Sequence, residues 1–215
     1  MPSKQFFGLS QERQKHIIQA SLREFAVHGY DVASTNRIVR DADISKGVLF
    51  KYFDSKEELF LYICDVAIGE LGAALPMANP ESVDDPFAWL VDLSTRKIQY
   101  SIEHPLTYQL LMRVDKQPQH EVYAKVMHRA VGVSQGIMSQ LAASLPTERL
   151  RTGVTWEQVF TMVNWVAQGL QEKYFGTIPD VISNDSSQSF QPLLNEVEFY
   201  FDMIKSGIYR QEVGK

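Results

Sequence analysis

The sequence contains a single cysteine, Cys64, among 215 residues. One thiol excludes a disulfide within the chain and a zinc site made of four cysteines, and it is typical of a protein from a reducing cytoplasm. Long apolar runs are also missing, since none reaches the roughly 18 residues of a membrane span. The first residues lack the apolar core of a secretory signal peptide. We therefore expect a cytoplasmic protein with no membrane partner.

Basic residues are not in excess, because 21 Lys and Arg stand against 26 Asp and Glu, for a net charge of −5. The charge is distributed unevenly along the chain. Residues 1–62 contain nine basic and eight acidic side chains, whereas residues 63–215 contain 12 and 18. An acidic body with a nearly neutral N-terminal part is compatible with local contact to nucleic acid, although it does not predict such contact.

Motifs of enzymes and metal sites are absent or misplaced. Residues 132–136 (GVSQG) match G-x-S-x-G, but that motif works in a turn between a strand and a helix, and this stretch is predicted to be helical. His120, Glu121 and His128 do not have H-E-x-x-H spacing, and no glycine-rich phosphate loop is present. We expect no enzyme activity, no metal and no cofactor. A strand before Gly132 would contradict this expectation.

Apolar residues recur at helical spacing along most of the chain, which predicts an all-α fold. Ser10, Ser55 and Thr155 are candidate N-caps, with Glu58 completing a capping box after Ser55. Gly29 suits the left-handed end of the first helix. Nine helices are predicted, over about 10–28, 35–42, 45–52, 55–75, 86–103, 105–114, 120–145, 155–175 and 190–209.

The second and third predicted helices are short and meet at a tight turn over residues 43–45, which is the spacing of a helix-turn-helix. Ile44, Leu49 and Phe53 are expected to pack inward. The residues left on the outer face of the third helix are small, basic or hydroxyl-bearing, and such residues suit entry into the major groove and contact with phosphate. They are Ser45, Lys46, Gly47, Val48, Lys51 and Tyr52.

A pattern of landmark residues spans about 35 positions of the N-terminal part. Its members are Phe25, Gly29, Tyr30, Ser34, Thr35, Ile38, Ala42, Ile44, Ser45, Gly47, Leu49, Tyr52, Phe53, Ser55, Lys56 and Leu59. In residue type and spacing this pattern resembles that of the TetR family of transcriptional regulators. Three positions depart from it. Asp43 replaces a preferred glycine, Phe50 replaces a usual tyrosine, and Val39 replaces an alanine.

The resemblance implies a DNA-binding role for specific residues. Lys46 is the candidate for guanine contact, and residues 1–9, with Lys4, are candidates for an arm in the flanking minor groove. Asp43 tolerates left-handed geometry but brings negative charge near DNA. The implied DNA-binding residues are Thr35, Ser45, Lys46, Gly47, Val48, Lys51, Tyr52 and Lys56.

The predicted C-terminal helices are apolar on two sides, and such helices need two partners. One partner is the core of the chain, and the other is expected to be a second copy in a four-helix arrangement. The predicted dimer interface consists of Val163, Leu170, Tyr174, Leu194, Val197, Phe201 and Ile204.

The middle of the chain combines aromatic and methionine side chains with a few polar groups, as in a small-molecule site, although such residues are also common in cores. An apolar or aromatic effector with one or two polar atoms is the expected ligand, and a cationic ligand stacked on the aromatic rings is an alternative. The candidate pocket residues are Trp89, Tyr108, Met112, Met127, His128, Phe160, Asn164, Trp165 and Gln168.

Together these features predict two domains, a helix-turn-helix domain over residues 1–54 and an effector-binding and dimerisation domain over residues 55–215. The resemblance implies a ligand-responsive regulator, commonly a repressor and in some cases an activator. It is expected to bind a palindromic operator as a homodimer and to leave it when the effector tilts the helix over residues 55–75. The alternative is a helical adaptor that keeps the fold but binds protein rather than DNA.

Overall fold

The computed structural model describes residues 1–75, 85–129, 142, 145–148, 150–175 and 191–209. Every regular element in these ranges is a helix, apart from an isolated antiparallel bridge between Leu150 and Tyr209. The predicted all-α class is confirmed. The helices are α1 (Lys4–Phe7), α2 (Gln11–Val32), α3 (Thr35–Asp41), α4 (Lys46–Tyr52), α5 (Lys56–Ala74), α6 (Pro86–Glu103), α7 (Pro105–Lys116), α8 (121–129), α9 (Trp156–Phe175) and α10 (Gln191–Ile208).

The predicted N-caps lie where the helices begin. The Ser10 hydroxyl accepts a hydrogen bond from the Arg13 amide at 3.3 Å. The Ser55 hydroxyl accepts one from the Glu58 amide at 3.0 Å. Thr155 forms a reciprocal box, since its hydroxyl accepts from the Gln158 amide at 3.3 Å and its own amide donates to the Gln158 side chain at 3.0 Å. These local bonds satisfy amides that have no partner within their helix.

Helix α2 bends at Gly29, where φ is +70° and ψ is 175°. Only glycine adopts these angles readily, because a β-carbon collides with the backbone there. The helix therefore runs regularly to His28, as predicted, and one further turn carries the chain to Val32.

The chain forms two compact units, unit 1 (Met1–Ala73 with His104–Gly132) and unit 2 (Ala74–Glu103 with Val133–Lys215). The core of unit 1 includes Phe25, Phe60 and Tyr123, which come from α2, α5 and α8. Helix α7 packs along α2 and adds Leu110 and Val114. The predicted boundary at 54/55 differs from this division, because α5, α7 and α8 supply part of the same core as the helix-turn-helix.

The core of unit 2 is formed by α6, α9 and α10, with Ile98, Val163 and Phe201 at its centre. Asp85 caps α6 by accepting from the amides of Phe87 and Ala88 at 3.0 and 3.1 Å. The part of the chain that the structure describes holds no helix both long and apolar enough to cross a membrane.

Residues 1–9 differ from the expected arm. They fold into the short helix α1, and the amide of Ser3 donates to the Tyr52 carbonyl oxygen at 2.9 Å. Phe6 is fully buried among Tyr52, Phe53 and Tyr62. A segment anchored by a buried phenyl ring is not free to extend into a groove, so the expectation of a minor-groove arm is corrected.

Candidate DNA-binding surface

Helices α3 and α4 are joined by a turn whose central residue, Asp43, has φ +51°. The predicted left-handed geometry at this position is confirmed. The Ile44 amide closes the turn by donating to the Val39 carbonyl oxygen at 3.0 Å. Arg13 reaches the same turn from α2, and its Nη2 donates to the Asp43 carbonyl oxygen at 2.6 Å. The entry into α4 is therefore held by α2 as well as by α3.

Helix α4 has one buried side and one exposed side. Leu49 and Phe53 are buried in the core of unit 1, as predicted. Lys46, Gly47 and Lys51 are exposed. A short helix with an exposed basic face and no side chain at its second residue can approach a nucleic acid backbone closely.

The remaining predicted DNA-binding residues of the helix-turn-helix differ in exposure. Ser45 is exposed, and its hydroxyl accepts from the Val48 amide at 3.2 Å as the N-cap of α4. Thr35 and Val48 are half-buried. Tyr52 is also half-buried and packs with its ring centroid 5.9 Å from that of Phe6. No structural observation tests their contact with DNA, so that role stays a prediction.

Lys56, the first residue of α5, is engaged within the chain. Its Nζ donates to the Asp31 carbonyl oxygen at 3.1 Å and lies 4.8 Å from the centroid of the Tyr30 ring. Desolvation by the surrounding side chains lowers the pKa of Lys56, although nearby Asp31 opposes the shift. Only one of the three N–H donors of Lys56 is used in this hydrogen bond, so its contact with phosphate stays a prediction.

The connection from α2 to α3 depends on Glu24, which is not among the site residues predicted from the sequence. Its carboxylate is buried and accepts from the Ser34 amide at 2.7 Å and from Arg37 Nε at 2.9 and 3.0 Å. Ser34 stands at the N-cap position of α3 and its side chain makes no capping bond, while its backbone amide donates to Glu24. Burial raises the pKa of Glu24, and the hydrogen bonds from Arg37 and Ser34 outweigh burial and leave that pKa below its ordinary value.

The predicted effector residues are divided between the two units. Phe160 is buried in the core of unit 2. His128, Asn164 and Trp165 are exposed, and Trp165 is 68% exposed. These three side chains do not line the interior of their own unit, and the effector site stays a prediction. Tyr108, Met112, Met127 and His128 lie in unit 1, whereas Trp89, Phe160, Asn164, Trp165 and Gln168 lie in unit 2.

The predicted dimer residues face mostly inward. Val163, Val197 and Phe201 are each 1% exposed, and Leu170 is buried beside them in the core of unit 2. A side chain that fills its own core is not available to a second subunit, so these four assignments are corrected. Tyr174, Leu194 and Ile204 are half-buried at the edge of the same core.

The exposed apolar residues of α9 and α10 lie on the other stripe of each helix. Trp165 is joined by Phe199 (62% exposed) and Met203 (58% exposed). Met162 and Tyr200 are also exposed. Large apolar side chains grouped on the outer faces of neighbouring helices are typical of a subunit interface.

No group of His, Cys, Asp and Glu side chains in the described ranges has the arrangement of a metal site. His120 bonds to Asp31 Oδ2 at 3.1 Å rather than to a shared site with His128. Residues 132–136 lie outside the described residues.

Residues 17–63 match the model of the family described as bacterial regulatory proteins, tetR family. The HTH-type transcriptional repressor SCO4008 of Streptomyces coelicolor is 28% identical over 95 residues, which cover 44% of this chain and 45% of that protein. The uncharacterized HTH-type transcriptional regulator YerO of Bacillus subtilis is 38% identical over 58 residues, which cover 27% of this chain and 20% of YerO. The chain thus spans less than half the length of these curated relatives.

The fold extends beyond the matched segment. The crystal structure of a TetR family transcriptional regulator from Chloroflexus aurantiacus superposes with a TM-score of 0.71 and 24% identity, covering 98% of this chain and 100% of that one. The similarity in fold therefore covers nearly the whole chain.

Proposed function

We propose that this chain is a dimeric transcriptional repressor that binds palindromic operator DNA, because residues 17–63 match the model of the family described as bacterial regulatory proteins, tetR family. The exposed basic face of α4 is the observation that carries the proposal. Its N-terminal turn is held rigidly by the Ser45 cap and by Arg13, so Lys46 and Gly47 are presented on a fixed element. A preorganised recognition helix loses little entropy when it binds.

The proposal requires two copies, and the exposed apolar stripe of α9 and α10 supplies the surface for a second one. Trp165, Phe199 and Met203 are large and solvent-exposed in the single chain. A two-fold dimer would present two α4 helices about 34–36 Å apart, on successive major grooves. The predicted residues Tyr174, Leu194 and Ile204 would border this surface rather than form its centre.

A small apolar or aromatic effector acting in the cytoplasm is the proposed signal. It would shift the population between a DNA-binding and a released state, and it must bind the two states with different affinity to do so. The proposed release proceeds through the tilt of α5, which begins at Lys56, four positions after α4 ends at Tyr52.

The test begins with a DNA duplex selected by the wild-type protein from a randomised pool. Lys46→Ala should weaken binding to this duplex by about 5- to 150-fold if Lys46 contacts a base, or lower the salt dependence by about one counterion if it contacts only phosphate. Arg96→Ala is the charge-matched control, because Arg96 pairs with Asp92 on α6 in unit 2. Its affinity should stay within twofold of wild type.

The adaptor alternative has one observation in its favour, since Asp43 is exposed and acidic beside the recognition helix. The same experiment separates the two functions. A wild-type protein that enriches no sequence and shows no salt-dependent DNA binding would contradict the repressor and favour the adaptor.

A further inference from the structure

The bend at Gly29 removes regular hydrogen bonds from the end of α2. In an unbroken helix the Tyr30 amide would donate to the Ala26 carbonyl oxygen, four residues earlier. Here the Tyr30 amide donates instead to the Tyr123 hydroxyl oxygen at 2.9 Å. Arg113 Nε donates to the Ala26 carbonyl oxygen at 2.7 Å, and Arg113 Nη2 donates to the Val27 carbonyl oxygen at 2.7 Å.

Arg113 and Tyr123, hereafter the α2 clamp, therefore replace a broken part of the helix with side-chain bonds. The guanidinium charge lies at the C-terminal end of the regular part of α2, where the helix dipole is negative and favours a cation. Tyr123 is buried, and its ring packs with its centroid 4.2 Å from that of His120. Tyr123 is thus fixed by its own surroundings.

The α2 clamp acts on the helix that sets the position of the recognition helix. Near its C-terminal end α2 holds α3 through Glu24, which bonds to Ser34 and Arg37. At its N-terminal end α2 holds the turn before α4 through Arg13 and the Asp43 carbonyl. A change in the conformation of the C-terminal end of α2 is therefore transmitted to α4. The hydrogen bonds of Glu24 connect α2 to α3, and the hydrogen bond of Arg13 connects α2 to the turn before α4.

The clamp residues come from a distant part of the chain. Helix α6 ends in unit 2 at Glu103, and α7, which carries Arg113, begins in unit 1 at Pro105. Only His104 lies between the two helices in the sequence.

We infer that Arg113 and Tyr123 are positioning residues for DNA binding, which hold α2 in the conformation that presents α4. This inference rests on the proposed DNA-binding function.

The test compares Arg113→Met with Val114→Ala, its neighbour on α7. Arg113→Met keeps a long side chain and removes every donor, whereas Val114→Ala truncates a buried core residue of the same helix and leaves the clamp intact. Both variants are measured for thermal unfolding and for affinity toward the duplex that the wild-type protein selected, at a temperature where each is folded. We expect Arg113→Met to bind the duplex at least tenfold more weakly than the wild-type protein does. The affinity of Val114→Ala should stay within twofold of wild type. Both results should hold whichever variant unfolds at the lower temperature.

Two more variants distinguish positioning from general stability. Arg113→Lys retains a cation that can donate to one of the two carbonyls, and it should recover part of the affinity. Tyr123→Phe removes only the hydroxyl oxygen that accepts from Tyr30, and it should weaken DNA binding in the same direction. In the double variant Arg113→Met with Tyr123→Phe the losses should be less than multiplicative, because both residues hold one helix end.

The outcomes separate this inference from the proposed function. If the wild-type protein selects no duplex, the DNA-binding function fails and the inference fails with it. If the wild-type protein binds its duplex and Arg113→Met binds equally well, the function stands and the inference is overturned. Equal losses in Arg113→Met and Val114→Ala at matched stability would also overturn the inference, since they would indicate a merely structural role.

Discussion

A β-carbon added at Gly29 would lie 3.2 Å from the hydroxyl oxygen of Tyr123. That separation is tighter than ordinary contact, and Gly29 also has the φ of +70° that side chains disfavour. Backbone strain and crowding therefore coincide at one position, at the bend where the α2 clamp acts.

Gly29→Ala should destabilise the protein by about 1–3 kcal/mol, because the substitution forces alanine into a conformation open mainly to glycine. Thermal or urea unfolding measures the loss. Gly69→Ala is the control, since Gly69 lies inside α5 with nothing within 4 Å of an added β-carbon. That variant should gain up to about 1 kcal/mol from helix propensity. Equal effects of the two substitutions would contradict the assigned geometry.

Asp43→Gly should stabilise the protein and strengthen DNA binding. Glycine relieves the left-handed strain at φ +51°, for a gain of roughly 1 kcal/mol, and the change removes a negative charge beside α4. Asp43→Asn separates the two effects, because asparagine removes the charge and tolerates the same backbone angles. We expect Asn to raise DNA affinity with little change in unfolding temperature. DNA affinity that falls in both variants would show that the carboxylate itself contributes to binding.

Glu24 should make stability depend on pH. Its pKa is lower in the folded protein than the ordinary value of 4.5, so its charged form is favoured by folding. The stabilisation is complete above the unfolded pKa and is lost as pH falls through the lowered folded pKa. Glu24→Gln should cost about 1–2 kcal/mol at pH 7, since it leaves part of the Arg37 and Ser34 donors poorly paired. The difference in unfolding free energy between wild type and variant should shrink as the pH is lowered from 5 to 3, and a constant difference would contradict the assignment.

Trp165→Glu should dissociate the proposed dimer. Central tryptophans often carry much of the energy of an interface, and a buried carboxylate without a partner is costly, so the dissociation constant should rise at least about thirtyfold. Sedimentation equilibrium measures the change. Val32→Glu is a matched control, because Val32 is also 68% exposed but lies at the end of α2. Loss of the dimer in both variants, or in neither, would be inconsistent with an interface on α9 and α10.

Local features of the chain were predictable because their signals lie within a few residues. The caps at Ser10 and Thr155 and the left-handed Asp43 each follow from neighbours up to four positions away. The break at His104 and Pro105 is of the same kind. Such local signals are enough to locate the helix-turn-helix and most helix bounds without any tertiary contact.

The longer-range contacts were not predictable in the same way. Arg113 lies 87 positions from the Ala26 carbonyl that it binds. No pattern in a single sequence predicts which distant backbone oxygen an arginine will bind. Glu24 left a faint local signal, since it shares the buried stripe of α2 with Ile17, Ser21 and Phe25. An acidic residue on such a stripe indicates a buried partner but does not identify it.

The two apolar stripes of α9 and α10 show a different limit. Both stripes have large apolar residues at helical spacing, so periodicity identifies two faces without telling which one meets the chain's own core. The structure places Val163 inside and Trp165 outside. The two residues are only two positions apart and thus point in nearly opposite directions on the helix.

The sharing of one core by α2, α5, α7 and α8 has a consequence for engineering. A fragment cut after Leu75 would lose Leu110, Val114 and Tyr123, and with them the buttress along one side of its first long helix. Chimeras that graft unit 1 onto another protein should therefore carry residues 104–132 as well. Unit 1 is compact, but it is formed by two separate stretches of the sequence. Recombination at a single junction would therefore remove one of the two stretches.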